Sequence, residues 1–168
     1  MKSLDTLTII ALPTLIAVVL MAVTVQAVQI EGVSMSPTLP NGHTMLVNRA
    51  AYGLQLPVLD RYLAVWSAPR NGDIIVYRTP DDDSIVVKRL VGAPGERFTL
   101  REHSMRIGDR EYELSGYTYN QLRELTRIPD NMVFAAGENA ARSRDSRHYG
   151  LVPIDSIRGR IMGTPFGL

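Results

Sequence analysis

A chain of 168 residues accommodates one compact domain with a short appendage. Its formal charge of +1, with 45% hydrophobic and 21% charged residues, offers no broad basic field, so nucleic acid is not an expected partner. There is no cysteine, which removes disulfides, thiolate metal sites and a thiol nucleophile, and leaves only oxygen and amine groups as candidate nucleophiles.

From Thr6 to Ile30 no residue is charged, and Leu7 to Ala27 is apolar on every face rather than along one stripe. At about 1.5 Å per residue this run reaches about 30 Å, the thickness of a bilayer's hydrocarbon core. The expected organisation is therefore a short cytoplasmic tail over 1–5, a transmembrane anchor over 6–28, and a domain over 29–168. Lys2 and the amino terminus favour a cytoplasmic start, with the domain on the extracytoplasmic side of the cell membrane. A cleaved secretory signal ending at Val25-Gln26-Ala27 is the rival reading, but the run is longer than the usual core of such signals.

Next comes Gly32-Val33-Ser34-Met35-Ser36-Pro37-Thr38-Leu39, a turn with a glycine before the serines and a proline after them. A serine hydroxyl is a weak nucleophile until a neighbouring base takes its proton. Beyond it, Thr44–Val47, Asp73–Tyr77 and Ile85–Val91 read as strands, and 78–83 as a turn whose three aspartates are expected to be solvated. Met105–Ile107 and Arg110–Leu114, separated by Gly108-Asp109, have the pattern of a hairpin. Tyr119–Thr126 is the best candidate for a helix, and Pro129 limits it. The reading is of a mainly β domain.

Sixteen of the eighteen basic residues are arginine, and the two lysines are Lys2 and Lys88. On a strand, Lys88 shares a face with Val86 and Leu90. Burial there would lower its pKa and make it a general base, a role closed to arginine. The alternative is that Lys88 and Arg89 form an exposed basic pair on a sheet edge. His43, His103 and His148 lie in polar settings without a carboxylate evidently arranged to orient them, which disfavours a Ser-His-Asp triad without excluding it. Residues 137–150 form a polar loop that is either solvated or a brace for the lysine.

The N-terminal span, Ser34–Leu39, Gly72–Val76, Val87–Gly95 and Ser143–Arg147 together resemble the type I signal peptidases in order and spacing. The resemblance implies a β-rich catalytic domain at the membrane surface, Ser34 as nucleophile and Lys88 as general base. It places Ser143 near the lysine amine and Asp145 in a pair with Arg147. It implies that Ile30, Met35, Leu39, Val86 and Val87 line the sites for small side chains before the scissile bond, with the substrate added as a β-strand. No cofactor or metal is implied, and the partners are secretory preproteins and the lipid bilayer. Three positions depart from the family pattern: Gly32 stands where some members have serine, Glu138 where aspartate is usual, and Ala140-Ala141-Arg142 where a stretch normally opens with arginine.

Three other functions remain open at this level. A peptidase of the same fold could process one substrate, such as a conjugative pilin. A self-cleaving regulator with Ser/Lys chemistry is disfavoured by the apolar span and the lack of a DNA-binding segment. A catalytically silent protein that binds signal sequences would be indifferent to replacement of Ser34.

Overall fold

The computed structural model describes residues 10–15, 24–55 and 62–163. Twelve short strands occur among them, with two short helices between the later strands, which bears out the mainly β reading. The principal sheet has seven strands in the order β1 (Val25–Gln29), β2 (Thr44–Asn48), β12 (Ile157–Gly163), β5 (Ile74–Arg78), β6 (Ile85–Gly92), β10 (Met132–Ala136) and β11 (Val152–Pro153). A two-stranded ribbon, β3 (Gly53–Gln55) with β4 (Tyr62–Val65), and a three-stranded sheet, β7 (Thr99–Arg101), β8 (Ser104–Ile107) and β9 (Arg110–Glu113), complete the strands.

The first strand falls across the expected junction between anchor and domain. Val25–Gln29 pairs antiparallel with β2 in the register Val25 with Asn48 and Gln29 with Thr44, so the sheet begins four residues inside the expected anchor. Val25 and Val28, the half-buried residues of this strand, are β-branched, and Gln26, Ala27 and Gln29 are exposed, as suits the edge of a sheet. Residues 10–15 are helical, and among the described residues no helix is long and apolar enough to cross a membrane. The expected tail over 1–5 and the rest of the expected anchor lie outside the described residues.

Strand β6 is the spine of the molecule. It pairs with β5, placing Lys88 opposite Ile75 and Val86 opposite Tyr77, and with β10 on its other side. Its alternation sends Val86 and Leu90 into a core with Ile75, Tyr77, Val133, Ala135 and Ile157. Val91 faces a second core, formed with Phe134, Met105, Ile107 and Leu122. Val87 faces a third, formed with Ile30, Met35, Leu39 and Met45. Each fully buried aliphatic or aromatic side chain in these clusters contributes roughly 1.5–3 kcal/mol of transfer free energy.

The hairpin forms as its alternation predicts: Met105 and Ile107 point inward, and Gly108 supplies the turn with φ of +54°. The helix α1 is Gly116–Leu122, which starts and ends earlier than the sequence suggests. Ser115 sets the start, because its hydroxyl accepts the Thr118 N–H at 3.1 Å. Leu122 is buried at the end, and Leu125 packs on the same core from a turn rather than from a helix.

Candidate active site

Ser34 lies in the loop joining β1 to β2. The base of that loop is closed by two backbone bonds, Ile30 N–H to His43 O at 2.9 Å and Gly42 N–H to Ile30 O at 2.8 Å. Within it, the Asn41 side chain accepts the Gly32 N–H at 2.8 Å, and Leu39 N–H donates to Met35 O at 2.8 Å. Gly32 has φ of +90°, a conformation that a side chain makes costly, which accounts for glycine at this departure from the family pattern. Met35 and Leu39 are buried beneath the loop and fix its height above the sheet.

Lys88 reaches this loop from β6. Its Nζ donates to Ser34 Oγ at 2.7 Å, and the residue is only 4% exposed. That burial overturns the alternative of an exposed basic pair. Loss of water lowers the pKa of the amine; Arg147 lowers it further, while Asp145 pulls it back up. A hydroxyl in contact with an amine whose proton is loosely held is equipped for proton transfer from oxygen to nitrogen.

The loop after β10 wraps this pair. Asp145 is fully buried and caps the helix α2 (Ser146–Tyr149), accepting the Arg147 N–H at 3.2 Å. It also accepts Ser143 Oγ–H at 2.5 Å, the Gly137 N–H at 2.8 Å, and Arg147 Nε and Nη2 at 2.8 and 2.5 Å. Burial alone would raise the carboxyl pKa, but the bonds from Arg147, Ser143 and Gly137 hold it below the usual range. The loop is therefore an ordered brace, not a solvated segment. Ser143, expected near the lysine amine, gives its hydroxyl to Asp145.

Two loop residues escape a reading from residue types, because they act through position. Asn139 donates its backbone N–H to the Ser34 carbonyl at 3.0 Å. Glu138 accepts Arg89 Nε and Nη2 at 2.9 and 2.5 Å and is also hydrogen-bonded by Thr38, so it joins the strand of Lys88 to the loop of Ser34. The longer side chain at this departure is thus fully engaged. Asp81 binds Arg144 at 2.7 Å and Asp83 binds Arg78, so two of the three turn aspartates are paired rather than merely solvated.

Of the five residues expected to line the substrate sites, Ile30, Met35, Leu39 and Val87 meet in one cluster. Val86 does not join them; the two-residue period of β6 turns it to the opposite face, against the Tyr77 core. His148 does have a carboxylate beside it, since its Nδ1 lies 4.0 Å from Asp145 Oδ1. It accepts the Asp145 backbone N–H at 3.4 Å, which makes it part of a helix cap. His103 stacks on Tyr119 with ring centroids 4.7 Å apart. Among the described residues no group of acids and histidines could hold a metal.

A serine hydroxyl thus meets a buried amine on a β scaffold, with a buried acid bracing the loop beside them. The chain belongs to the signal peptidase, peptidase S26 family, whose model matches residues 3–164. It is 31% identical to signal peptidase I of Pseudomonas aeruginosa over 86% of this chain and 66% of that protein. It is 29% identical to signal peptidase I of Bacillus caldolyticus over 79% of this chain and 74% of the relative. It is also 29% identical to the mouse mitochondrial inner membrane protease subunit 1, over 80% and 65%. The chain thus spans just under two thirds of the length of the Pseudomonas relatives. A crystal structure of a signal peptidase I from Enterococcus faecalis V583 aligns with 57% of this chain and 98% of that one, at 27% identity and a TM-score of 0.42.

Proposed function

We propose that this chain is a membrane-bound serine endopeptidase that removes signal peptides from secreted preproteins, cutting after small residues in an Ala-x-Ala pattern. The observation that carries the reading is the 2.7 Å contact between Lys88 Nζ and Ser34 Oγ, made by a lysine whose burial lowers its pKa. Family membership supplies the substrate class.

In this mechanism the neutral Lys88 amine takes the proton of Ser34 as Oγ attacks the scissile carbonyl carbon. The negative charge that develops on the carbonyl oxygen is met by the Ser34 backbone N–H. As the intermediate collapses, Lys88 returns its proton to the departing amine, leaving an ester on Ser34. Water, deprotonated by the same amine, then hydrolyses the ester. Ser143, Asp145 and Arg147 position the lysine and the loop, and the apolar cluster of Ile30, Met35, Leu39 and Val87 shapes the floor for small side chains. The substrate lies as an extended strand, held by backbone bonds and selected by shallow pockets.

The apolar run before β1 anchors the domain in the cell membrane as a single span, with the sheet on the extracytoplasmic side. A specialised peptidase for one substrate, such as a pilin, is the second reading; Glu138 and the turn Ala140–Arg142, which depart from the family pattern beside Ser34, permit it.

The test is cleavage of a panel of preproteins in detergent by the full chain and by Ser34→Ala. Processing of several Ala-x-Ala precursors, lost in the alanine variant, is the expected result. Processing of one precursor alone selects the specialised reading. Equal processing by both proteins contradicts the nucleophile.

A further inference from the structure

We propose that Tyr149, through its bond to Tyr77, is a positioning residue that holds Asp145 and Arg147 at their working distances from the Lys88 amine. This role rests on the Ser34–Lys88 reading above and adds two residues that the motifs do not include. Tyr77 and Tyr149 are 0% and 6% exposed, and their hydroxyls share a hydrogen bond at 2.5 Å. A phenol buried in an apolar core costs stability unless its hydroxyl finds a partner, a cost that phenylalanine avoids. Here two such groups, 72 residues apart in the chain, serve each other. Burial raises the pKa of both, so each stays protonated across the range in which Lys88 changes charge. The charges of Asp145 and Asp81 act on both hydroxyls, and that of Asp82 on Tyr149, in the same upward direction.

The pair lies on the lysine's own face of the sheet. Tyr77 of β5 stands opposite Val86, and Lys88 follows two residues later on β6, opposite Ile75. The two-residue period puts Val86, Lys88 and Leu90 on one side of β6, where Val86 and Leu90 pack in the core that contains both tyrosines. The helix α2 is tied to both neighbours of that strand. Ser146 Oγ accepts the Ala135 N–H of β10 at 3.0 Å, and the Tyr149 hydroxyl reaches Tyr77 of β5. The start of α1 holds the helix as well, with the Ser115 N–H on the Arg147 carbonyl at 2.8 Å and Ser115 Oγ on the His148 carbonyl at 3.0 Å.

This short helix carries the charges that the lysine feels. Asp145 caps it and Arg147 lies within it. Asp145 pulls the pKa of the amine up and Arg147 pushes it down, the aspartate more strongly, while Ser34 takes the amine's hydrogen bond. A shift of α2 therefore alters both charge effects at once. Without the hydroxyl bond, α2 keeps its ties to β10 and α1 but is held against β5 by packing alone. The bond thus links the strand that pairs with Lys88 to the helix whose charges surround the amine.

Tyr77→Phe and Tyr149→Phe each leave one buried hydroxyl unpaired and should lower the unfolding temperature. The double variant replaces both phenols by rings of the same shape and should regain most of that loss. A positioning role predicts that the recovered stability does not restore the lysine. Lys88 is one of two lysines, so isotope-labelled lysine gives two Cε resonances in the full chain in detergent, and Lys2→Arg assigns them. In the double variant the titration midpoint of Lys88 should fall by roughly 0.5 in pH, a fraction of what loss of a whole charge would give, because the upward pull of Asp145 weakens. The rising limb of kcat/KM for an Ala-x-Ala peptide should move with it. A midpoint equal to that of the natural chain, or one that rises, overturns the proposal and leaves the pair as packing. A midpoint that falls in a chain whose natural form cleaves no precursor upholds the positioning and sinks the peptidase reading. Should the double variant not fold, the same titration of Tyr149→Phe decides between these outcomes.

Discussion

Gly137 lies so close to Ser34 that a Cβ on it would stand 2.7 Å from the Ser34 carbonyl oxygen, and 2.2 Å from the Ser143 hydroxyl. Neither separation is tolerable, and the first obstacle is backbone. The loop after β10 and the nucleophile's own loop therefore meet at the one residue type that leaves room for both.

Gly137→Ala should accordingly displace either Ser143 or the Ser34 loop. Overpacking of this kind costs about 1–3 kcal/mol of stability. A misplacement near 1 Å at the reacting group lowers kcat by about 100-fold. Thermal unfolding together with kcat for a signal-sequence peptide checks both numbers; a variant with full activity would show that the contact between the loops does not position Ser34.

Burial lowers the Lys88 pKa, so in the pH range between its folded value and the ordinary value of about 10.4 the unfolded chain holds a proton that the folded chain lacks. Stability then rises with pH across that range, and the cost of burying the amine is complete below it. Lys88→Met removes the titrating group and keeps the volume. It should unfold at a higher temperature than the natural chain at neutral pH, with the difference shrinking as pH approaches the ordinary lysine value. Unfolding temperatures measured over a pH series give this comparison directly. In the natural chain, kcat/KM should climb with pH along a limb that lies below the ordinary lysine range.

Asp145 has the opposite sign. Its folded pKa is held down, so it contributes stability that is present above the ordinary carboxylate value of about 3.9 and is lost as pH falls through the folded value. Asp145→Asn leaves the guanidinium of Arg147 short of its partner in a largely buried setting, which costs about 3–5 kcal/mol. Chemical denaturation of the variant at neutral pH measures that loss, and its stability should vary less than the natural chain's as pH falls below the ordinary carboxylate value.

The legible parts of this molecule are those where side-chain chemistry and period agree. Lys88 stands out in a chain that otherwise uses arginine, and the alternation of β6 predicts its burial. The hairpin around Gly108 is equally plain. Less legible are features set by partners distant in sequence. Val25–Gln29 continues an uncharged run, and only its pairing with β2 makes it a strand rather than the end of a span. The start of α1 depends on a cap at Ser115 that the apolar period does not show. Val86 and Val87 look equivalent as letters, yet a two-residue period sends them to different cores. Glu138 and Asn139 join Ser34 to the braced loop across more than a hundred residues, and no local pattern announces that.

The central claim is that Lys88 acts as a base and not merely as a charge. Lys88→Arg keeps a cation at the position but cannot surrender its proton near neutral pH. Cleavage of an Ala-x-Ala preprotein by the full chain in detergent should proceed with the natural residue and fall to background with arginine, while the variant remains folded by circular dichroism. Equal cleavage by the two proteins would contradict the Ser34–Lys88 mechanism and return the role of base to a histidine.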